Sequence, residues 1–124
     1  MENLKSKLII VYGKGGTYKS TIAKLFLNNV DGCYINLEKD LCDLNHITNC
    51  INQNKVTVID YIDLINLTLD DIVKLKNMIN NTDKTLVMVS CCACNKNLFN
   101  ENYYKLKEIS DLMILTDKQK VSVI

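Results

Sequence analysis

Two kinds of hydrophobic pattern alternate along the 124-residue chain. The first kind is a short run of consecutive apolar residues, which is typical of strands that are buried on both faces of a parallel sheet. Four such runs predict strands at residues 8–12, 33–37, 85–89 and 111–116. The first of these strands leads directly into a glycine-rich segment.

The second kind of pattern has apolar positions that recur every three or four residues, as on one face of a helix. It predicts helices at residues 19–28, 56–65, 69–79 and 101–109. In the second of these segments, Asp60 and Asp63 have the spacing of a solvent-facing side. Thr68 and Asp71 have the spacing of a capping box at the start of the third helix. The polar residues 38–54 are predicted to form a loop with one helical turn.

Strands that alternate with helices indicate an α/β fold. Because each strand is continuously apolar, we predict a mainly parallel sheet with helices on both faces, which is a three-layer α/β/α domain. A chain of this length buries enough apolar surface to fold as one domain. We therefore expect a single domain that spans residues 1–124.

The charge balance and the apolar content bear on nucleic-acid binding, membrane insertion and the cellular compartment. Fifteen basic residues, all of them lysine, stand against fourteen acidic residues, which gives a net charge of +1. This balance offers no support for nucleic-acid binding. No apolar stretch approaches the roughly 20 residues of a membrane span, and the first residues lack the pattern of a signal peptide. We expect a cytoplasmic protein whose six cysteines are mostly free thiols.

The segment between the first predicted strand and the first predicted helix has the composition of a phosphate-binding loop. It consists of Gly13, Lys14, Gly15, Gly16, Thr17, Tyr18, Lys19, Ser20 and Thr21. In such a loop, successive backbone N–H groups point at phosphate oxygens. Lys19 stands where a lysine reaches the β and γ phosphates, and Ser20 stands where a hydroxyl binds Mg²⁺. The segment therefore predicts a site for ATP and Mg²⁺.

Tyr18 departs from the strict pattern of such loops. Glycine normally occupies this position because the turn needs a backbone conformation that a side chain disfavours. We therefore expect Tyr18 to crowd the turn or the phosphates. A strand-to-helix turn that binds nothing is the simpler alternative, but the predicted strand and helix on either side favour a nucleotide loop.

The stretch "KGGTYKST" at residues 14–21 resembles the deviant Walker A loop of the ParA/MinD ATPases. This resemblance implies that Lys14 reaches across an ATP-dependent homodimer to the phosphates of the partner, which makes it a catalytic residue. Residues 56–74 and 109–124 resemble other segments of the same family more weakly. The function that the resemblance implies is a nucleotide-dependent switch for positioning or partition, together with an unidentified protein partner.

Two aspartates of that family are missing from the places where the resemblance implies them. In that family, these aspartates stand at the ends of the second and third strands, where they organise Mg²⁺ and the attacking water. The matching places hold Asn36 or Glu38, and Ser90. The chain is also short for the family, so we expect a shortened form of the P-loop fold. ATP binding with weak or absent hydrolysis follows from these departures.

Two further functions stay open. The first is a degenerate, non-catalytic module that keeps the fold to bind a partner protein. The second is a dimeric maturation ATPase in which Cys92 and Cys94 of the "CCAC" segment supply two ligands to a metal shared between subunits. His46 is the only histidine and has no catalytic partner at an informative spacing.

Overall fold

The structure is a computed structural model. It describes residues 6–13, 18–28, 30–40, 42–62, 67–90, 101–116 and 121–123. The strands in these ranges are β1 Lys7–Gly13, β2 Gly32–Asn36, β3 Val56–Asp60, β4 Thr85–Ser90, β5 Leu112–Thr116 and β6 Val121–Val123. The helices are α1 Lys19–Leu25, α2 Leu44–Gln53, α3 Leu69–Ile79 and α4 Tyr103–Ile109. None of these helices is long and apolar enough to cross a membrane.

The strands form a single sheet with the order β2-β3-β4-β1-β5-β6. The first five strands in this order run parallel to one another, and β6 pairs antiparallel with β5. The prediction of a mainly parallel sheet is therefore confirmed. Each of the four predicted strands is present, and β3 and β6 add two that the hydrophobic pattern did not predict.

Helices cover both faces of the sheet, as the continuous apolar strands require. On one face, Ile9 and Val11 of β1 pack in a cluster with Ala23 of α1. On the opposite face, Leu8 and Ile10 of the same strand pack in a cluster with apolar residues of α2, α3 and α4. Side chains alternate between faces along a strand, so β1 contributes side chains to both hydrophobic clusters. The three-layer α/β/α architecture is confirmed.

The predicted helix at residues 56–65 is wrong over its first half, which is strand β3. All five residues of β3 are buried, and the strand pairs on both sides, with β2 and with β4. A central strand with both faces covered favours β-branched residues, and Val56, Thr57, Val58 and Ile59 provide them. Asp60 does not face solvent, because it is only 2% exposed. Asp63 lies outside the described residues.

The predicted loop at residues 38–54 contains a ten-residue helix, α2. Asp43 caps it, because its side chain accepts a hydrogen bond of 2.9 Å from the backbone N–H of His46. Ile47 and Ile51 lie one turn apart and are buried against the sheet. These two are the only buried residues of α2, so its periodicity is hard to see among the surrounding polar residues. Tertiary packing supplies most of the stability of such a helix.

Helix α3 begins as predicted. The Thr68 hydroxyl accepts a hydrogen bond of 3.1 Å from the Asp71 N–H, and the Asp71 carboxylate accepts one of 2.9 Å from the Thr68 N–H. These reciprocal bonds satisfy backbone donors that the first helical turn leaves unpaired. The bond from the Thr68 backbone lowers the pKa of Asp71. The capping box is confirmed.

Candidate functional site

Buried polar residues gather at the carboxyl edge of the parallel sheet, where open α/β folds bind their ligands. Five polar or charged residues are buried in the described part of the chain. Asp60, Ser90 and Thr116 are three of them, and they are the last residues of β3, β4 and β5. Lys19 is a fourth, and it begins α1 directly after the glycine-rich loop. Burial of polar groups is costly, so their concentration at one edge marks a candidate site.

A hydrogen bond joins α1 to the end of β3. The Ser20 hydroxyl lies 2.5 Å from Oδ2 of Asp60, although the two residues are 40 positions apart in sequence. Helix α1 packs across β1, β4 and β3, which carries Ser20 over the end of β4 to reach Asp60. The other carboxylate oxygen, Oδ1, accepts a hydrogen bond of 2.9 Å from the Tyr61 N–H. Both oxygens of Asp60 are therefore held in place.

Tyr34 is a third donor to the same carboxylate. It lies on β2, and its hydroxyl donates a hydrogen bond to Oδ2 of Asp60. Burial, reinforced by this bond, raises the pKa of Tyr34 well above its usual value, so the phenol stays a donor. The Lys24 ammonium of α1 lies 4.8 Å from the centre of the Tyr34 ring, as in a cation–π interaction. The contacts of Tyr34 thus connect β2, α1 and the end of β3.

The oxygen atoms that meet here suit a hard divalent cation. A serine hydroxyl from the loop and an aspartate at a strand end are the pair that holds Mg²⁺ in P-loop nucleotide-binding proteins. Mg²⁺ also prefers oxygen ligands and binds through few carboxylates. Ser20 and Asp60 fit this ion. Lys19, which directly precedes Ser20, is 8% exposed, a low value for a lysine.

Tyr18 has the backbone conformation for which such loops use glycine. Its φ of 65° and ψ of 14° lie in the left-handed region, which residues with a Cβ atom adopt at a cost. The side chain is 66% exposed, so it does not fill the turn. The departure from the glycine pattern therefore appears as an unfavourable backbone conformation and not as packing of the ring.

Gly13 is explained by close packing of two strand ends. Gly13 and Thr116 are register partners at the ends of β1 and β5. A Cβ atom on Gly13 would lie 2.1 Å from the Thr116 Oγ1 and 2.6 Å from its carbonyl oxygen. A side chain at Gly13 therefore requires β5 to move, so glycine is needed here whether or not a phosphate binds.

The remaining predicted loop residues divide between described and undescribed parts. Thr21 is exposed on α1. Lys14, Gly15, Gly16 and Thr17 lie outside the described residues, as do Cys92 and Cys94. Their predicted roles stay predictions. Of the predicted loop, the structure describes Gly13 at the end of β1 and residues 18–21 at the start of α1.

Three other residues from the sequence analysis, Asn36, Ser90 and His46, lie in the described part of the chain. The Asn36 side chain accepts a hydrogen bond of 2.9 Å from the Glu38 N–H, which shapes the turn after β2. Ser90 is fully buried at the end of β4. His46 is exposed on α2, and its Nε2 lies 3.7 Å from the Cys50 Sγ. Over the described ranges, no three metal-ligating side chains come together to hold an ion.

Asp60 is the site residue that the sequence analysis missed. Its partners lie on α1 and β2, and the hydrophobic pattern had placed it on the outside of a helix. With β3 included, the third strand along the chain ends in an aspartate. The useful signal was the run "VTVI" directly before Asp60, because four β-branched residues in succession favour a strand over a helix.

No protein-family model and no curated protein matches this chain.

Proposed function

We propose that this protein binds Mg-ATP at the carboxyl edge of its sheet, with residues 13–21 around the phosphates. The observation that carries the proposal is the hydrogen bond between Ser20 and Asp60. These residues come from distant parts of the sequence, and they are the two types that hold Mg²⁺ in P-loop proteins. The fold brings them together directly after the glycine-rich segment.

Each residue around this pair has a role in the proposal. Lys19 and Lys14 balance phosphate charge, and backbone N–H groups of residues 15–17 contact phosphate oxygens. Ser20 and Asp60 hold Mg²⁺, which when bound neutralises charge on the phosphates. Tyr34 orients the Asp60 carboxylate through its hydroxyl. Nucleotide binding then needs no rearrangement of β3.

Hydrolysis is expected to be weak or absent. Asp60 already accepts hydrogen bonds from Ser20, Tyr34 and Tyr61, so it is suited to holding a metal and not to activating water. The strands on either side of β3 end in Asn36 and Ser90, neither of which is a general base. Positioning of the attacking water depends on such a group in this class of reaction.

The narrower part of the proposal is an ATP-dependent homodimer of the ParA/MinD type, acting as a switch for positioning or partition. The pairing of Ser20 with Asp60 is common to P-loop proteins in general, so it supports the nucleotide site alone. The dimer depends on the resemblance around Lys14. It therefore needs its own test.

Thermal unfolding with and without ATP and Mg²⁺ tests the nucleotide site, because a ligand that binds the folded state raises the melting temperature. We expect Lys19→Ala to lose the ATP-dependent shift altogether. Asp60→Asn is expected to lose the part that needs Mg²⁺. Lys105→Ala and Asp70→Asn are matched controls at exposed positions and keep the full shift. If all the variants shift like the parent, the proposed site is wrong.

Sedimentation with ATP tests the homodimer. We expect the parent to dimerise with ATP and Lys14→Ala to bind ATP as a monomer, with Lys105→Ala as the control. A parent that binds ATP and stays monomeric would refute the dimer and leave the nucleotide site intact. A parent that binds no nucleotide at all would refute both parts and favour the non-catalytic interaction module.

A further inference from the structure

Three cysteines lie together at the β2 edge of the sheet, on the face opposite to the cluster that contains Tyr34. Cys33 is on β2, Cys50 is on α2, and Cys42 lies in the segment before α2. All three are free thiols of intermediate exposure, and they pack against the core beneath α2. Nothing in the proposed nucleotide chemistry uses them.

Backbone pairing places Cys50 beside Cys33. Cys33 is the register partner of Thr57 on the neighbouring strand β3. The Thr57 hydroxyl donates a hydrogen bond of 3.4 Å to the Cys50 carbonyl oxygen, so this turn of α2 sits over that pair of strands. The side chains of Cys33 and Cys50 both pack against the same core cluster, so the two thiols are neighbours on the face of the sheet that α2 covers. A disulfide needs two cysteines on closely neighbouring backbone segments, and β2 and this turn of α2 are such segments.

The surroundings of Cys33 and Cys42 differ from those of Cys50. Burial, together with the neighbouring Cys50 thiol, raises the pKa of Cys33 to about 11, and burial also raises the pKa of Cys42. These two therefore stay protonated at neutral pH. Cys50 instead lies one helical turn from His46, with its Sγ 3.7 Å from the ring Nε2. The imidazole is exposed, and the tautomer with an unprotonated Nε2 is placed to accept the Cys50 proton.

We propose that Cys33 and Cys50 form an oxidisable pair that exchanges with small-molecule disulfides of the glutathione class. Cys50 gives its proton to His46, and its thiolate attacks one sulfur of the glutathione disulfide. The S–S bond of that molecule breaks, a mixed disulfide forms on Cys50, and one glutathione thiolate leaves. Attack proceeds through the thiolate in all such exchanges.

The second step closes the pair. Cys33 loses its proton to solvent and attacks the Cys50 sulfur of the mixed disulfide, which releases the second glutathione thiolate. The two cysteines lose two electrons and two protons, and one glutathione disulfide becomes two glutathione molecules. The product ties the edge strand β2 to α2. Its formation is reversible by excess thiol.

Peptide mapping after exposure to oxidised glutathione tests the pair. The folded chain is incubated with the oxidant, its remaining thiols are blocked, and it is cleaved after lysine. Cys33 then lies in the peptide of residues 25–39, and Cys42 and Cys50 share the peptide of residues 40–55. We expect these two peptides to be linked, with the mass of two hydrogens lost.

Serine variants identify the sulfur atoms in that link. We expect Cys42→Ser to keep the link and Cys50→Ser to abolish it. Cys33→Ser is expected to stop at glutathione on Cys50, and Cys33→Ala repeats this measurement in case serine disturbs the half-buried position. His46→Ala should slow the first step several-fold. A link that survives in Cys50→Ser, or glutathione that accumulates only on other cysteines, would overturn the proposal.

Discussion

Replacing Tyr18 with glycine is expected to stabilise the protein. Tyr18 has a φ of 65°, and a residue with a Cβ atom pays roughly 1–2 kcal/mol in this left-handed region. Glycine removes that cost, but it gives the unfolded chain more freedom, which offsets about 0.4–1 kcal/mol. The ring is 66% exposed, so its loss sacrifices little packing. The expected net gain is about 0.5–1 kcal/mol.

The gain is measurable by thermal or urea unfolding. For a domain of this size it corresponds to a rise in melting temperature of roughly 2–5 °C. Tyr18→Ala is the matched control, because alanine removes the ring and keeps the Cβ atom that causes the strain. We expect no rise for alanine. Asn81→Gly provides a second comparison at a φ of 64°, where a smaller gain is expected because asparagine tolerates this region.

Two results would refute this reasoning. If Tyr18→Ala raises the melting temperature as much as Tyr18→Gly, the ring and not the backbone is unfavourable. If Tyr18→Gly lowers it, the tyrosine side chain stabilises the loop and the backbone strain is small.

Three further predictions concern packing, capping and titration. Gly13→Ala should destabilise the fold by about 1–3 kcal/mol in urea unfolding. Adding Thr116→Ala should restore only part of this stability, because the Thr116 carbonyl still obstructs the Cβ atom. Full recovery in the double variant would refute the backbone clash. Thr68→Ala should cost about 1 kcal/mol through loss of the α3 cap, and an unchanged urea midpoint would show that the cap contributes nothing. The raised pKa of Tyr34 gives stability that is present below the unfolded value of about 10 and lost as pH rises above it. Urea unfolding from pH 8 to about pH 10.5 should therefore show a steeper fall for the parent than for Tyr34→Phe, and parallel falls would refute this.

The sequence by itself determined the features whose physical causes are local. Continuous apolar runs identified β1, β2, β4 and β5, because a strand covered on both faces needs apolar residues at every position. The capping box at Thr68 and Asp71 was readable because its two hydrogen bonds join residues three apart. The phosphate-binding role of residues 13–21 was predicted from their spacing and from the strand and helix on either side, and it stays a prediction.

Tertiary structure alone decided where distant residues meet. The polar residue Asp60 made β3 resemble an amphipathic helix, and its pairing with β2 and β4 shows it to be a buried strand. Ser20 and Asp60 meet because α1 packs across β4 onto β3, and that contact depends on the strand order. Hydrophobic periodicity reports which residues are buried along one element and says nothing about which other element covers them. The candidate metal pair therefore became visible only when the sheet was assembled.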